Sequence, residues 1–477
     1  MLFPTPEFAI FFCLVFVASW LLRPRPVAWR IFLLVASYLF YAWWDPRFTL
    51  LLLASTFINQ AAARLIQRSP TEPGRRGWLG AAMVADLVIL GFFKYYGFFV
   101  TSVASGLDKV GLSLEPPLLQ LVLPVGISFF TFQAMSYVID TYRRDTEPYP
   151  LLDFAVYLSF FPHLVAGPIV RARELLPQLQ QKADPRKIEA SLAFRLIFAG
   201  LFKKVVISSF LASAIVDPVF AVPKQHSALE VLFATYGYAV QIYADFSGYT
   251  DIAIGCALLL GLRFPQNFDA PYTSRSIQEF WRRWHMTLSF WLRDYLYIPL
   301  GGNRGSEGRI QRNLFLTMVI GGLWHGAAWK FVVWGAIHGG AMCAERAWRN
   351  HRAAHREATG QPLRATTPLG QVGRWFLTFN VVCLAWVFFR ADDFGAATDL
   401  LGRLTAFGSA PLVKPMVVFV VVAMIAAQFV PTRVVDRGQV AFSRLSPLLQ
   451  GAALGVGLLI IDALGPVGVA PFIYFQF

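Results

Sequence analysis

The chain has 477 residues, 56% of them hydrophobic and 15% charged, with a mean hydropathy of +0.52; soluble domains carry roughly a quarter charged residues, so a soluble fold is excluded and a polytopic membrane protein is implied. The formal net charge of +14 does not indicate a nucleic-acid partner, because the arginines fall in short clusters between apolar runs, which is the positive-inside pattern. Cys13, Cys256, Cys343 and Cys383 are scattered without CxxC or Cys/His ligand spacing and read as buried apolar fillers.

The N-terminus has no basic region before its apolar run and no small-residue cleavage site after it, so the first helix is expected to be retained. Apolar runs near the length a bilayer requires are Phe8–Leu22, Trp29–Trp44, Phe48–Ile66 and Trp78–Phe93. Arg23, Arg25 and Arg30 follow the first, and Arg64, Arg68, Arg75 and Arg76 end the third. Both clusters mark cytoplasmic loops and place the N-terminus outside. A fifth span, Leu119–Tyr142, contains Pro124 and Gly126 and ends at Arg143 and Arg144. The next segment, LLDFAVYLSFFPHLVAGPIVRAREL, is interrupted by Pro162, Gly167 and Pro168 and reads as re-entrant or in-plane.

Leu192–Ala214 and Leu229–Leu262 form spans six and seven. Lys203 and Lys204 in the first are placed to snorkel or to line a wet cavity; the second carries the polar patch Asp245, Ser247, Tyr249 and Asp251. From Ile277 to Tyr295, Trp281, Trp284, Leu288, Trp291 and Tyr295 recur at steps of three and four. This spacing predicts one interfacial amphipathic helix with its tryptophans at headgroup level, Glu279 pairing with Arg282 and Arg283, and His285 beside the stripe. Leu300–Arg304 reads as a tight turn.

The apolar run Leu314–Met342 has basic flanks on both sides, the second being the loop with Arg346, Arg349, Arg352, Arg356, Arg364 and Arg374. A single crossing cannot begin and end on one side, so the run is a pair of short crossings or a hairpin that turns inside the membrane. Gly321, Gly322 and Gly326 permit the turn, with His325 at its tip. Trp375–Phe389, Val413–Val430 and Leu448–Leu464 follow, then the tail PFIYFQF. The expected fold is all-α, with about ten crossings plus re-entrant and interfacial helices in a single integral domain, 1–477; a core at about 150–345 precedes C-terminal helices at 375–477.

An ionisable residue at bilayer depth is a functional hypothesis by default. A histidine in a low-dielectric site is driven toward its neutral form, which a general base requires, and this favours His325; a histidine hydrogen-bonded in the bundle is the competing reading. His338 is the second candidate, nearer the basic loop. The residues offer no HExxH, no carboxylate at ligand spacing, no Gly-x-Ser-x-Gly elbow and no phosphate loop, since GGNRG lacks a GK[ST] ending. No metal is expected. Arg275, Arg282, Arg283 and Arg304 concentrate positive charge where a phosphate-bearing donor would arrive, although the positive-inside bias accounts for them equally.

Three motifs, YADFSGYTDIAIG, GLRFPQNFDAPYTSRSIQEFWRRWHMTLSFWLRDYLYIPLGGNRG and GGLWHGAAWKFVVWGAIHG, together resemble the membrane-bound O-acyltransferases, specifically the bacterial alginate O-acetyltransferase branch. The likeness extends from FPHLVAGPI to the C-terminus. It implies helices around a central funnel, His325 of LWHG as the catalytic histidine and His285 of WRRWH as the supporting one. Substrate or donor contacts would come from Trp324, Trp284, Arg283, Asn303, Arg304 and Asp245, with Trp324 and Trp329 walling the hairpin tip. It implies no bound cofactor, acetyl-CoA or a carried acetyl group as co-substrate, and residence in a bacterial inner membrane. It further implies an extracytoplasmic acetyltransferase partner resembling SGNH hydrolases, which places the acetyl group on a polysaccharide. His163 stands where related sequences lead one to expect glutamine. Transfer of an acyl or D-alanyl group to another polymer such as teichoic acid, a non-catalytic conduit with the histidines as a proton relay, and a structural scaffold are the alternatives.

Overall fold

The structure, a computed structural model, describes residues 1–112, 119, 122–165, 167–181, 184–360, 367–465 and 473. Gln120 and Leu121 of the expected fifth span, Arg364, and most of the PFIYFQF tail lie outside them. Among the described residues all regular structure is helical, as expected from the sequence. The chain packs as two compact units, residues 1–197 with 249–265, and 198–248 with 266–477.

In the first unit the helices are α1 (Pro6–Leu22), α2 (Pro26–Ala42), α3 (Arg47–Arg68), α4 (Glu72–Leu90), α5 (Tyr96–Asp108), α6 (Ile127–Arg143), α7 (Leu151–Ser159), α8 (Phe161–Leu164) and α9 (Ala172–Gln180). A π-turn at Gly91–Tyr95 joins α4 and α5 without a break, so the fourth span runs well past Phe93, to Asp108. The expected fifth helix starts late, at Ile127. Gly126 has φ +76, and a Cβ there would meet the Leu164 carbonyl oxygen at 2.4 Å; only glycine takes that turn and that approach cheaply. The Pro162 segment forms two short buried helices, α7 and α8, and His163 is fully buried among Tyr157, Phe160 and Phe264.

Helices α10 (Ala190–Leu201) and α13 (Ala228–Leu259) each contribute residues to both units, and α11 (Ser209–Leu211) and α12 (Asp217–Ala221) follow α10 in the chain. The second unit continues with α14 (Ile277–Arg283), α15 (Met286–Leu292), α16 (Glu307–His325), α17 (Trp329–Thr359), α18 (Pro368–Arg390), α19 (Phe394–Arg403), α20 (Pro415–Ala427), α21 (Thr432–Ser443) and α22 (Pro447–Leu464). Helix starts repeat one device. Thr5, Thr367 and Ser446 each precede a proline and accept the amide of Phe8, Gly370 or Leu449 through their hydroxyls. The cap satisfies an orphan donor and the proline occupies a position that needs none.

Among the described residues, five helical stretches are long and apolar enough to cross a membrane: Arg47–Arg68, Glu72–Asp108, Ala190–Ala221, Pro368–Arg390 and Pro447–Leu464. The expected span Val413–Val430 is shorter, since α20 ends at Ala427 and α21 leaves it at 93°. Pro431, which cannot continue a helix, stands at that bend. The expected interfacial helix is also broken. His285 has φ +43 and separates α14 from α15, and its tryptophan stripe is buried inside the unit, with Trp281, Trp284 and Trp291 all 5% exposed or less. Cys13 is exposed, and only Cys256 and Cys383 are buried fillers.

Candidate active site

The run expected as a pair of short crossings or a membrane hairpin folds as two helices, α16 and α17, linked by Gly326–Ala328. Glycines set how closely the two helices approach. A Cβ on Gly322 would lie 2.2 Å from the Phe331 carbonyl oxygen, one on Gly335 would lie 2.4 Å from that of Met318, and one on Gly326 would lie 2.0 Å from the Phe331 ring.

His325 is the last residue of α16 and is 3% exposed. Aromatic edges and faces box its ring: Trp324 at 5.0 Å, Trp334 at 4.8 Å and Phe389 at 5.3 Å between centroids. Trp329, expected as a wall, is 61% exposed. It opens α17 on the far side of the link, and Trp334, one and a half turns on, takes its place.

His338 lies one helical turn beyond Trp334, with the two rings 4.8 Å apart. Trp281 Nε1 donates to His338 Nδ1 at 3.3 Å, and Phe280 stacks on the ring at 6.0 Å. Its Nδ1 is therefore an acceptor and its role in the packing is defined.

His285 occupies the break between α14 and α15. Its Nδ1 lies 3.1 Å from Asn267 Oδ1, and its ring meets Phe246 at 4.7 Å and Trp324 at 6.1 Å. Trp324 is thus the shared neighbour of His285 and His325. A non-glycine residue in the left-handed region costs of order 1–3 kcal/mol and clusters at functional sites.

The remaining expected site residues divide. Trp284 is buried among Phe280, Phe268 and Trp386 and supports the wall without reaching His325. Arg283 pairs with Glu279 at 3.2 Å and Asp269 at 3.3 Å. Asp245 is buried in an ion pair with Lys204 and accepts the Ile473 amide at 2.9 Å. Lys204 is fully buried and neither snorkels nor lines water. Arg304 is exposed in the expected turn, where its amide donates to the Gly301 carbonyl at 3.0 Å.

Asn303 lines a 580 Å³ cavity together with the exposed Arg282, Arg293 and Arg349, the half-buried Arg346 and the buried Leu292, Met318 and Trp281. Arg346 grips Glu307 through two bonds of 2.6 and 3.1 Å, and this contact holds the Glu307 carboxyl below its ordinary range. Among the expected phosphate-facing arginines, Arg282 alone reaches the cavity. Trp281 ties the cavity to the histidines, since it packs against Trp334 at 5.6 Å, and Trp334 packs against His325.

Residues 77–389 match the membrane-bound O-acyltransferase family. The chain belongs to that family. It is accordingly a multi-pass membrane O-acyltransferase. The probable alginate O-acetylase AlgI of Pseudomonas aeruginosa is 40% identical over 412 residues, covering 86% of this chain and 76% of that protein. The peptidoglycan O-acetyltransferase of Helicobacter pylori is 38% identical over 443 residues, 86% of this chain and 81% of that one. More distant is the teichoic acid D-alanyltransferase of Streptococcus thermophilus, 29% identical over 286 residues, 56% of this chain and 68% of that one.

Asn267, Trp334 and Phe389 are the site residues that sequence reasoning missed. Trp334 had one usable signal, its four-residue spacing from His338, which puts both on one helical face. Asn267 lies within the second quoted motif, but 18 residues before His285 and with nothing in the spacing to pair the two; Phe389 is far from the histidines in sequence and lies in no motif.

Proposed function

We propose that this acyltransferase takes an acetyl group from a phosphate-bearing thioester donor, acetyl-CoA or a carried acetyl group, and passes it across the membrane for O-acetylation of an extracytoplasmic polysaccharide. The observation that carries the reading is the pair of buried histidines on either side of Trp324, joined through Trp334 and Trp281 to an arginine-rimmed cavity. The donor's phosphates meet Arg282, Arg293, Arg346 and Arg349, and its thioester reaches toward Trp281. Arginine forks suit phosphate, and the apolar inner wall suits an acyl group.

His325 takes the proton of the attacking hydroxyl as the new C–O bond forms at the thioester carbonyl; the C–S bond breaks and the proton passes to the departing thiolate. General base catalysis supplies about 10²–10⁴-fold, and positioning with exclusion of water supplies the remainder. His285, across Trp324, orients the reacting group or stabilises developing charge. The enzyme sits in a bacterial inner membrane with its N-terminus outside and the cavity open to the cytoplasm. An extracytoplasmic transferase of the SGNH-hydrolase type receives the acetyl group and delivers it to the polymer. The relatives named for alginate and for peptidoglycan support acetyl over other acyl groups; the teichoic acid relative keeps D-alanyl transfer as a second reading.

The test is acetyl-ester content of envelope polysaccharides, by NMR or mass spectrometry, in a deletion strain complemented with wild type, His325→Ala or His285→Ala at matched membrane levels. His325→Ala is expected to lose the esters while remaining folded and inserted, and the polymer that loses them identifies the acceptor. Normal acetylation in His325→Ala would make this a structural histidine, and loss of D-alanyl esters instead would select the second reading.

A further inference from the structure

We infer that Asn267 is a positioning residue that fixes His285 in the tautomer with its proton on Nδ1, leaving the Nε2 lone pair as the reactive edge of the neutral ring. The inference rests on the functional reading above for the role of His285, but not for its tautomer.

Three consecutive residues converge on this one asparagine. The Met286 amide donates to the Asn267 backbone carbonyl at 2.9 Å. The Thr287 amide donates to Asn267 Oδ1 at 3.2 Å, and the Thr287 hydroxyl reaches the same atom at 2.9 Å. His285 Nδ1 is the third neighbour of that atom, at 3.1 Å.

A backbone N–H can only donate, so the atom it meets is the amide oxygen, and the usual ambiguity between the two ends of an asparagine side chain is removed. A carbonyl oxygen can only accept. The imidazole nitrogen facing it must therefore carry the proton, and in a neutral ring the other nitrogen then holds the lone pair.

The backbone is shaped to this end. The extended Trp284 ends α14, and the left-handed conformation of His285, φ 43 and ψ 53, lets the ring of residue 285 and the amides of 286 and 287 face one side chain. Thr287 and Asn267 are 5% exposed or less, so water does not compete for Oδ1. Asn267 also serves α15 as a cap contributed from outside the helix, since it takes the first two amides of that helix. A cap alone would not need the histidine; the third bond is what ties the helix start to the orientation of the ring.

The test separates the two roles. Histidine ¹⁵N resonances of the full-length protein in lipid distinguish a protonated Nδ1 from a protonated Nε2, with the His285 signal assigned by its loss in His285→Ala. Wild type is expected to show the Nδ1-protonated ring at alkaline pH. Asn267→Ala is expected to show a mixture and a kcat lower by about 10²-fold at unchanged KM for the donor. Asn267→Asp, which keeps an acceptor in the same place, is expected to restore the tautomer and most of kcat. A proton on Nε2 in wild type, or an unaltered tautomer in Asn267→Ala, overturns the inference. If the tautomer is as stated and His285→Ala still acetylates normally, the functional role of His285 fails and the positioning by Asn267 stands.

Discussion

Replacing Gly322 by alanine tests whether the closeness of the hairpin helices, and with it the placement of His325, limits catalysis. The added methyl would lie 2.2 Å from the Phe331 carbonyl oxygen and 3.2 Å from the backbone of Gly335. A carbon and a carbonyl oxygen touch at about 3.3 Å, so the helices must part by roughly 1 Å. Both neighbours are backbone, so no side chain can swing away to absorb the shift. Overpacking of this kind costs about 1–3 kcal/mol, partly offset by the helix preference of alanine over glycine, about 1 kcal/mol. The hairpin should therefore form, but with its tip displaced. A misplacement of about 1 Å at reacting groups costs on the order of 10²-fold in rate. Gly340→Ala, on the partner helix α17, is the control, because a methyl there meets nothing within 4 Å. Initial rates of ester formation at matched membrane levels are expected to fall about 10²-fold for Gly322→Ala and to stay at wild type for Gly340→Ala. A wild-type rate in Gly322→Ala would show that helix spacing does not place the reacting histidine.

Lys204→Met leaves Asp245 buried without its cation and should destabilise by about 3–5 kcal/mol, while the pair Lys204→Met with Asp245→Leu should recover most of that; tryptophan-monitored thermal unfolding in detergent measures both. Arg282→Ala and Arg349→Ala should each raise the donor KM about tenfold or more at constant kcat, as expected when a charged hydrogen bond of about 1.5–3 kcal/mol is lost, and the penalty should shrink as salt rises. Trp281→Phe removes the indole donor to His338 Nδ1 and should cost about 1 kcal/mol of stability with acetylation within a few-fold of wild type; a loss as deep as that of His325→Ala would make His338 the reacting histidine.

The hairpin was legible in the sequence because two independent signals agreed. Basic clusters on both flanks denied a single crossing, and glycines supplied a place to turn. The turn at Leu300–Arg304 was also legible, since local chemistry decides a turn. The break at His285 was not. The tryptophan stripe runs through it without a helix-breaking residue, and the group that receives the broken helix's ring and amides, Asn267, lies 18 residues earlier. Periodicity also identifies a face without saying what covers it. The stripe suited lipid headgroups as well as it suits Trp334, Trp386 and Phe280, which in fact cover it. Lys204 and Asp245 illustrate the same limit, since each alone reads as a candidate for water or substrate and only their pairing across 41 positions removes them.

The division of labour at His325 follows from its surroundings. A solvent-exposed imidazole offers general base catalysis and little else, about 10²–10⁴-fold, whereas enzymes commonly reach about 10⁶-fold or more. Here the ring is enclosed by Trp324, Trp334 and Phe389, none of which can take a proton from a hydroxyl or attack a thioester. On the function proposed above, their contribution is to keep water, the competing nucleophile, away from the acyl group and to hold the imidazole in one orientation. Trp324 touches both histidines and Trp334 connects to the cavity wall through Trp281, so the aromatic residues form one continuous packed surface from the arginine-lined cavity to the His325 ring. On this view the two histidines provide the proton chemistry, while the aromatic packing around them determines which nucleophile the acyl group meets.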